Sequence, residues 1–152
     1  AESLVPLVEA CVQSNLTQVE ALLAAGADPN ERDVVTPLYA CQEYMRSSKQ
    51  RHAAIRNLLR AGALPDKTTN DGSTPLMLAA YHGDVRSVRM LLERGADPLL
   101  RNHGDGCGED GCNAIDAAGK GRHRELQEML REHLGESALR MGTAPSIPKQ
   151  EL

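Results

Sequence analysis

A block of residues returns three times along this chain at a spacing near 33 residues. LLAAGADPN occupies 22–30, LLRAGALPD 58–66 and LLERGADPL 91–99; Gly62 to Gly95 is 33 residues and Gly26 to Gly62 is 36, so the second unit carries a small insertion. A second signature stands upstream of each block: VPLVEAC at 5–11, TPLYACQ at 36–42, TPLMLAA at 74–80 and a weaker NAIDAAG at 113–119. Self-similarity at a fixed period of this size marks a chain of stacked units, each too small to bury its own apolar face. The signatures define four of them.

Each signature has a mechanical reading. A Thr before Pro caps a helix whose first turn tolerates Pro, because that position needs no donor. Thr36-Pro37 and Thr74-Pro75 therefore start helices. In the third unit Leu76, Leu78, Ala79 and Ala80 give a short inner helix with small residues where a neighbour must approach closely, and Gly83 ends it. Val85, Val88, Leu91 and Leu92 recur at spacings of three and four, the stripe of an amphipathic outer helix that Gly95 closes. Aromatics are only 2% of the chain, with no Phe or Trp, so the core is built from Leu, Ala, Val, Ile and Met. Each unit reads as a helical hairpin.

The run TPLMLAAYHGDVRSVRMLLERGADP at 74–98 resembles an ankyrin repeat along nearly its whole length. The resemblance implies an all-α solenoid of about four helix-turn-helix units at 4–30, 31–66, 67–99 and 100–134, with fingers projecting between units and a concave face. The first unit has Val5 where the pattern has Thr, and the last a shortened inner helix, as expected of caps. Residues 135–152 form a flexible tail outside the repeats, with one helical turn at 138–141.

Composition narrows the function. The net charge is −4, and the 17 Lys and Arg are scattered among 21 Asp and Glu, so nothing forms a stripe that neutralises phosphates. No apolar run approaches the ~20 residues of a membrane span. The histidines 52, 82, 103, 123 and 133 fall in no metal-binding helix motif, and no nucleophile elbow, phosphate loop or dinucleotide fingerprint is present. Neither an enzyme nor a cofactor or metal carrier is expected. Nucleic acid and membrane insertion are not expected either.

Two departures from the repeat stand out. Unit 2 runs EYMRSSKQR between Gln42 and His52, about five residues more than unit 3, which extends the inner helix or the loop after it. Glu43, Tyr44 and Met45 then fall near the concave side, with Arg46, Lys49 and Arg51 adding positive charge; a tolerated loop insertion explains the same residues equally well. The second is HGDGCGEDGC at 103–112, an enlarged finger of unit 4. Cys107 and Cys112 sit in a Gly-rich stretch that can close to a disulfide. A zinc site would take His103, Cys107, Cys112 and Asp105 or Asp110, but no second ligand pair follows. Asp105, Glu109 and Asp110 do not fit a calcium-loop register. Cys11 and Cys41, where ankyrin repeats place small alanines, are buried thiols or a second disulfide across adjacent inner helices.

What the resemblance implies for binding is a set of finger tips and inner-helix ends. Carried over by unit, these are Arg32, Asp33 and Val35 with Glu43 and Tyr44; Asn70, Asp71 and Ser73 with Tyr81 and His82; and Asp105, Glu109 and Asp110. Lys120 joins them only if the inner helix of unit 4 keeps register, and the sequence reads as out of register there. Tyr44 and Tyr81 are the expected anchors. The function implied is a protein-binding module, monomeric when free, in the role of a bacterial inhibitor or immunity-type partner of an enzyme. The second reading is a redox- or metal-responsive sensor that uses the Cys107/Cys112 finger. Two disulfides would place it in the periplasm or outside the cell; reduced thiols would fit a cytoplasm.

Overall fold

The computed structural model describes residues 6–31, 34–103 and 107–140, and eight helices run through them. They alternate as inner and outer members of four hairpins: α1 (Pro6–Val12) and α2 (Leu16–Ala24), α3 (Pro37–Tyr44) and α4 (Ser48–Arg60), α5 (Pro75–His82) and α6 (Val85–Glu93), α7 (Ala114–Lys120) and α8 (Arg124–Arg140). Inner helices pack in the order α1, α3, α5, α7, and outer helices in the order α2, α4, α6, while α8 packs on α7. This is the all-α repeat solenoid expected from the 33-residue period.

The caps form as the Thr-Pro pairs require. Thr36 accepts from Tyr39 N at 3.3 Å and Thr74 from Met77 N at 3.2 Å. Asn113 takes the same place in unit 4, accepting from Asp116 N at 2.9 Å while Asp116 accepts from Asn113 N at 3.1 Å. Unit 4 therefore keeps register: Asn113 lies 39 residues after Thr74, and Lys120 lies 39 after Tyr81. At 7 residues against 8, α7 is shorter than α5 by one. The register was hidden because two features that mark it elsewhere are replaced. Gly83 ends α5 in the left-handed region at φ 71°, whereas the equivalent positions of units 1 and 4 hold Ser14 at φ 56° and Arg122 at φ 63°.

Equivalent side chains fill one continuous core. Leu7, Leu38, Leu76 and Ile115, one from each inner helix, are all buried, beside Val19, Leu58, Val88, Leu91 and Leu130 from the outer helices. Burying one such side chain is worth about 1.5–3 kcal/mol, and each unit relies on its neighbours for part of that burial. Between blocks, side chains also bridge neighbours. Asn30 donates to Gly62 O at 3.0 Å and accepts from Leu64 N at 2.6 Å, and Asp66 accepts from Asp97 N at 2.9 Å. The next equivalent, Leu99, has no polar atom to offer, and unit 4 has no following Gly-Ala-Asp-Pro block to receive one.

Three expectations change. The extra residues of unit 2 lengthen neither α3, which matches α5 at 8 residues, nor a long loop; they extend α4 to 13 residues, against 9 in α2 and α6. Met45 is consequently core, 1% exposed, rather than concave surface. At the other end α8 passes residue 134 without a break and reaches Arg140, so this helix runs six residues into the segment expected as tail. Residues 141–152 lie outside the described residues.

Where the units press closest, there is no room for a side chain. A Cβ on Gly121 would collide with the carbonyl oxygen of Tyr81, backbone that cannot move without separating α5 from α7. Gly121→Ala is expected to cost about 2 kcal/mol or more, and Arg122→Gly, which relieves a left-handed side-chain residue, to gain about 0.5 kcal/mol. Urea unfolding midpoints of the two variants check both signs.

Candidate functional site

The finger of unit 4 folds back against that of unit 3 to wall a groove over the inner helices. Asn102 N donates to Cys112 O at 3.0 Å, Cys112 N to Asn102 Oδ1 at 3.1 Å, and His103 N to Asp71 O at 2.8 Å. Asn102 Nδ2 also donates to Ser73 Oγ at 3.0 Å. Cys107 and Cys112 are joined as a disulfide, with Cα atoms 5.1 Å apart, which closes the tip of this finger. Lys120 Nζ lies 3.2 Å from Cys107 Sγ. Gly111 is needed at the base of the finger, where a Cβ would strike Asn102 O.

The groove so formed encloses about 280 Å3. Tyr39, Met77, Leu78 and Tyr81 supply an apolar and aromatic floor, and Asp71, Asn102 and Lys120 supply polar groups around it. Burial first, and then the charges of Glu43 and Asp71, push the Tyr39 hydroxyl up to about 12, so it remains a neutral donor. For Asp71, burial acts upward, but hydrogen bonds from Thr69, Ser73 Oγ at 2.9 Å and Ser73 N at 3.2 Å outweigh it and hold the carboxyl below its ordinary value.

Of the expected contact residues, Tyr81, His82, Glu43, Tyr44, Asn70, Asp71, Glu109 and Asp110 are exposed. Arg32, Asp33 and Asp105 lie outside the described residues. Ser73 is 8% exposed and shapes the finger turn with Asp71, so it is not contact surface. Val35 is half-buried and packs on the core. The two expected anchors do not meet: Tyr81 enters the groove, whereas Tyr44 lines a separate depression with Val12, Arg46 and Gln50. Their places in the units explain this, because Tyr81 is equivalent to Glu43 and Tyr44 to His82. His82 Nε2 sits 3.7 Å from Glu43 Oε2 across that boundary. The aromatic that joins Tyr81 is Tyr39, three residues after the capping Thr36; Met77 and Asp116 hold the same place in later units. That regular offset was the signal available.

A second cluster carried no signature at all. Asp84 caps α6, and its side chain is 7% exposed. It accepts from Ser87 Oγ at 2.7 Å, Arg51 Nε at 2.8 Å and Gln42 Nε2 at 3.3 Å, and pairs with His52 Nε2 at 2.7 Å. Burial pushes this carboxyl up, yet the hydrogen bonds from Ser87, His52, Arg51 and Gln42 together hold it far below the usual carboxylate range. Ser87 gives its hydroxyl to Asp84 rather than to His52, and it is fully buried, so the three do not form a nucleophile relay. The cluster is a lock between units 2 and 3.

Among the described residues no group of three or more His, Cys, Asp or Glu side chains is placed to hold a metal ion. Cys107 and Cys112, two donors of the zinc alternative, are bonded to each other. Cys11 and Cys41 are also joined, with Cα atoms 4.7 Å apart, stapling α1 to α3 where the sequence left buried thiols open as the commoner outcome. No helix among the described residues is long and apolar enough to cross a membrane.

A family model described as ankyrin repeats in three copies matches residues 7–102 and, in a second register, 38–140. The chain belongs to the ankyrin-repeat family. Ankyrin repeats in general mediate protein–protein interaction and are not catalytic. The chain is similar to the mouse nuclear factor NF-kappa-B p105 subunit, 38% identical over 96 residues that cover 61% of this chain and 10% of that protein. It is similar to the bovine mitochondrial disaggregase, 32% identical over 125 residues, 82% of this chain and 17% of that protein. A putative ankyrin repeat protein of Rickettsia bellii is 35% identical over 80 residues, 50% of this chain and 23% of that protein. The chain thus spans 10% and 17% of the length of the first two relatives.

Asp84→Asn keeps the cap but leaves Arg51 and His52 without a carboxylate, and is expected to cost about 3 kcal/mol. Because the folded-state carboxyl is held below its unfolded value, its contribution is complete above about pH 4 and is lost as pH falls below that. Unfolding free energies measured from pH 7 to pH 2 should fall in the parent more steeply than in Asp84→Asn.

Proposed function

We propose that this chain is a binding module that seats a partner protein's segment in the Tyr39–Tyr81 groove. The observation that carries the reading is the groove itself: two tyrosines, Met77 and Leu78 on a floor framed by fixed hydrogen-bonding groups. Aromatic and Met side chains are the types over-represented at interface centres, where a few anchors hold most of the binding energy. The polar frame is already tied down by finger-to-finger hydrogen bonds, so little ordering is needed on binding.

The role we propose is that of a stoichiometric inhibitor or protective partner of an enzyme, of the immunity type, in the periplasm or outside a bacterial cell. Its support is the presence of two cysteine pairs at bonding distance, which suits an oxidising compartment. The Ala-, Leu-, Arg- and Gly-rich composition fits a bacterial source. A cytoplasmic setting would leave both pairs as thiols.

One observation favours a second reading, in which the finger responds to redox state. Lys120 Nζ stands beside Cys107 Sγ, where an ammonium would stabilise the Cys107 thiolate released when a dithiol reductant opens the disulfide. Opening would free a wall of the groove.

Tyr81→Ala is expected to weaken capture of the partner at least tenfold while moving the unfolding free energy by less than about 0.5 kcal/mol, as for an exposed residue. The check is affinity capture from the native source with parent and variant, repeated after mild reduction. Equal capture by both would remove the groove from the account. Loss of capture on reduction would favour the responsive finger, and retention would make the disulfide a staple only.

A further inference from the structure

The outer face carries a charge pattern that the groove does not use. Arg56 and Arg60 on α4 line one hollow with Arg94, just after α6, and Arg86 and Arg89 lie three residues apart on α6; none of the five is ion-paired among the described residues. Glu93 offsets one of them. Beyond α6 the sign reverses. Glu125, Glu132 and Glu136 recur on α8 at spacings of seven and four, one stripe of that helix. Arg131 projects about 100° away from Glu132 around the helix, and Arg124 is taken by Glu128 at 3.4 Å.

Between the two fields lies a groove of about 530 Å3. It exists because α8 packs on α7, whereas the other outer helices pack on one another. Half-buried Leu92 and Met129 form its floor, with Arg89 and Glu93 on the α6 bank and Glu132, His133 and Glu136 on the α8 bank. Across α4 and α6 the five arginines outweigh Glu93, and along α8 the glutamate stripe is negative, so the two fields with the apolar seam between them make a surface complementary to its own copy. A rotation of 180° about an axis along the groove carries each copy's positive field onto the other's negative field, and brings the Leu92 and Met129 seams together. A two-fold axis across the helices would instead set like charge on like.

We propose that two copies of this chain associate through the α4–α6 arginines and the α8 glutamates about a two-fold axis along the α6–α8 groove. This replaces the free monomer expected from the sequence, and it leaves the Tyr39–Tyr81 groove open on the opposite, inner side. The contact is isologous, so it closes at two copies rather than growing into a filament. Its exposed ion pairs are screened by salt, with a Debye length near 10 Å at 0.1 M and about 3 Å at 1 M.

Sedimentation equilibrium of the full chain tests it. A dimer is expected in low-salt buffer, shifting towards monomer in about 1 M salt. Arg89→Glu and Glu132→Arg should each be monomeric alone, since each sets like charges face to face twice. Mixed in equal amounts they should form a heterodimer, because both contacts then pair opposite charges, and the double variant should dimerise with itself. Both positions are exposed, so circular dichroism should show the parent fold. A parent that stays monomeric at every concentration in low salt, or single variants that fail to combine, would overturn the proposal.

Discussion

Everything in this molecule depends on how closely neighbouring inner helices approach. The Leu7, Leu38, Leu76 and Ile115 series closes a core only if α1, α3, α5 and α7 lie side by side with small residues between them. Ala40, Ala79, Ala80, Ala117 and Ala118 meet that demand, all of them buried. At Gly121 it becomes absolute, since the Tyr81 carbonyl occupies the space a methyl would need. A single hairpin has no such neighbour, so stability in this fold is a property of adjacent pairs.

The same dependence explains where polar groups are buried. Asp84 could cap α6 from the surface, as Asn15 caps α2. It is buried instead because the longer α4 brings Arg51 and His52 over it. The insertion of unit 2 therefore has a structural consequence: it sets an ionic contact between units 2 and 3, whose geometry is demanding and sensitive to acid. The Cys11–Cys41 staple reinforces the preceding junction and the finger hydrogen bonds the following one.

Much of this was legible from local pattern. Thr36, Thr74, Gly83 and Gly95 act through the turn next to them, so their roles could be read from a few residues. Asp84 could not be read that way, because its partners Arg51 and His52 lie 33 and 32 residues earlier and belong to another unit. Ser73 looked like a finger-tip contact, and only the folded turn shows it buried and bonded to Asp71. Tyr39 was passed over in favour of Tyr44 because the offset from the capping residue, rather than exposure along the helix, decides which side chain faces the groove. The register of unit 4 was obscured at Arg122, where the repeat's glycine is missing but its left-handed backbone is kept.

Two faces emerge with different chemistry. The inner one is a small aromatic groove with a fixed polar frame, and the outer one is charged in two opposed fields. Assigning partner recognition to the inner face is the central claim, and hydrogen exchange of the chain with and without its captured partner tests it most directly. Protection on binding is predicted at residues 69–82, 101–103 and 107–120, in the fingers and inner helices that wall the groove. Protection confined to α4, α6 and α8, with the groove exchanging as before, would contradict it.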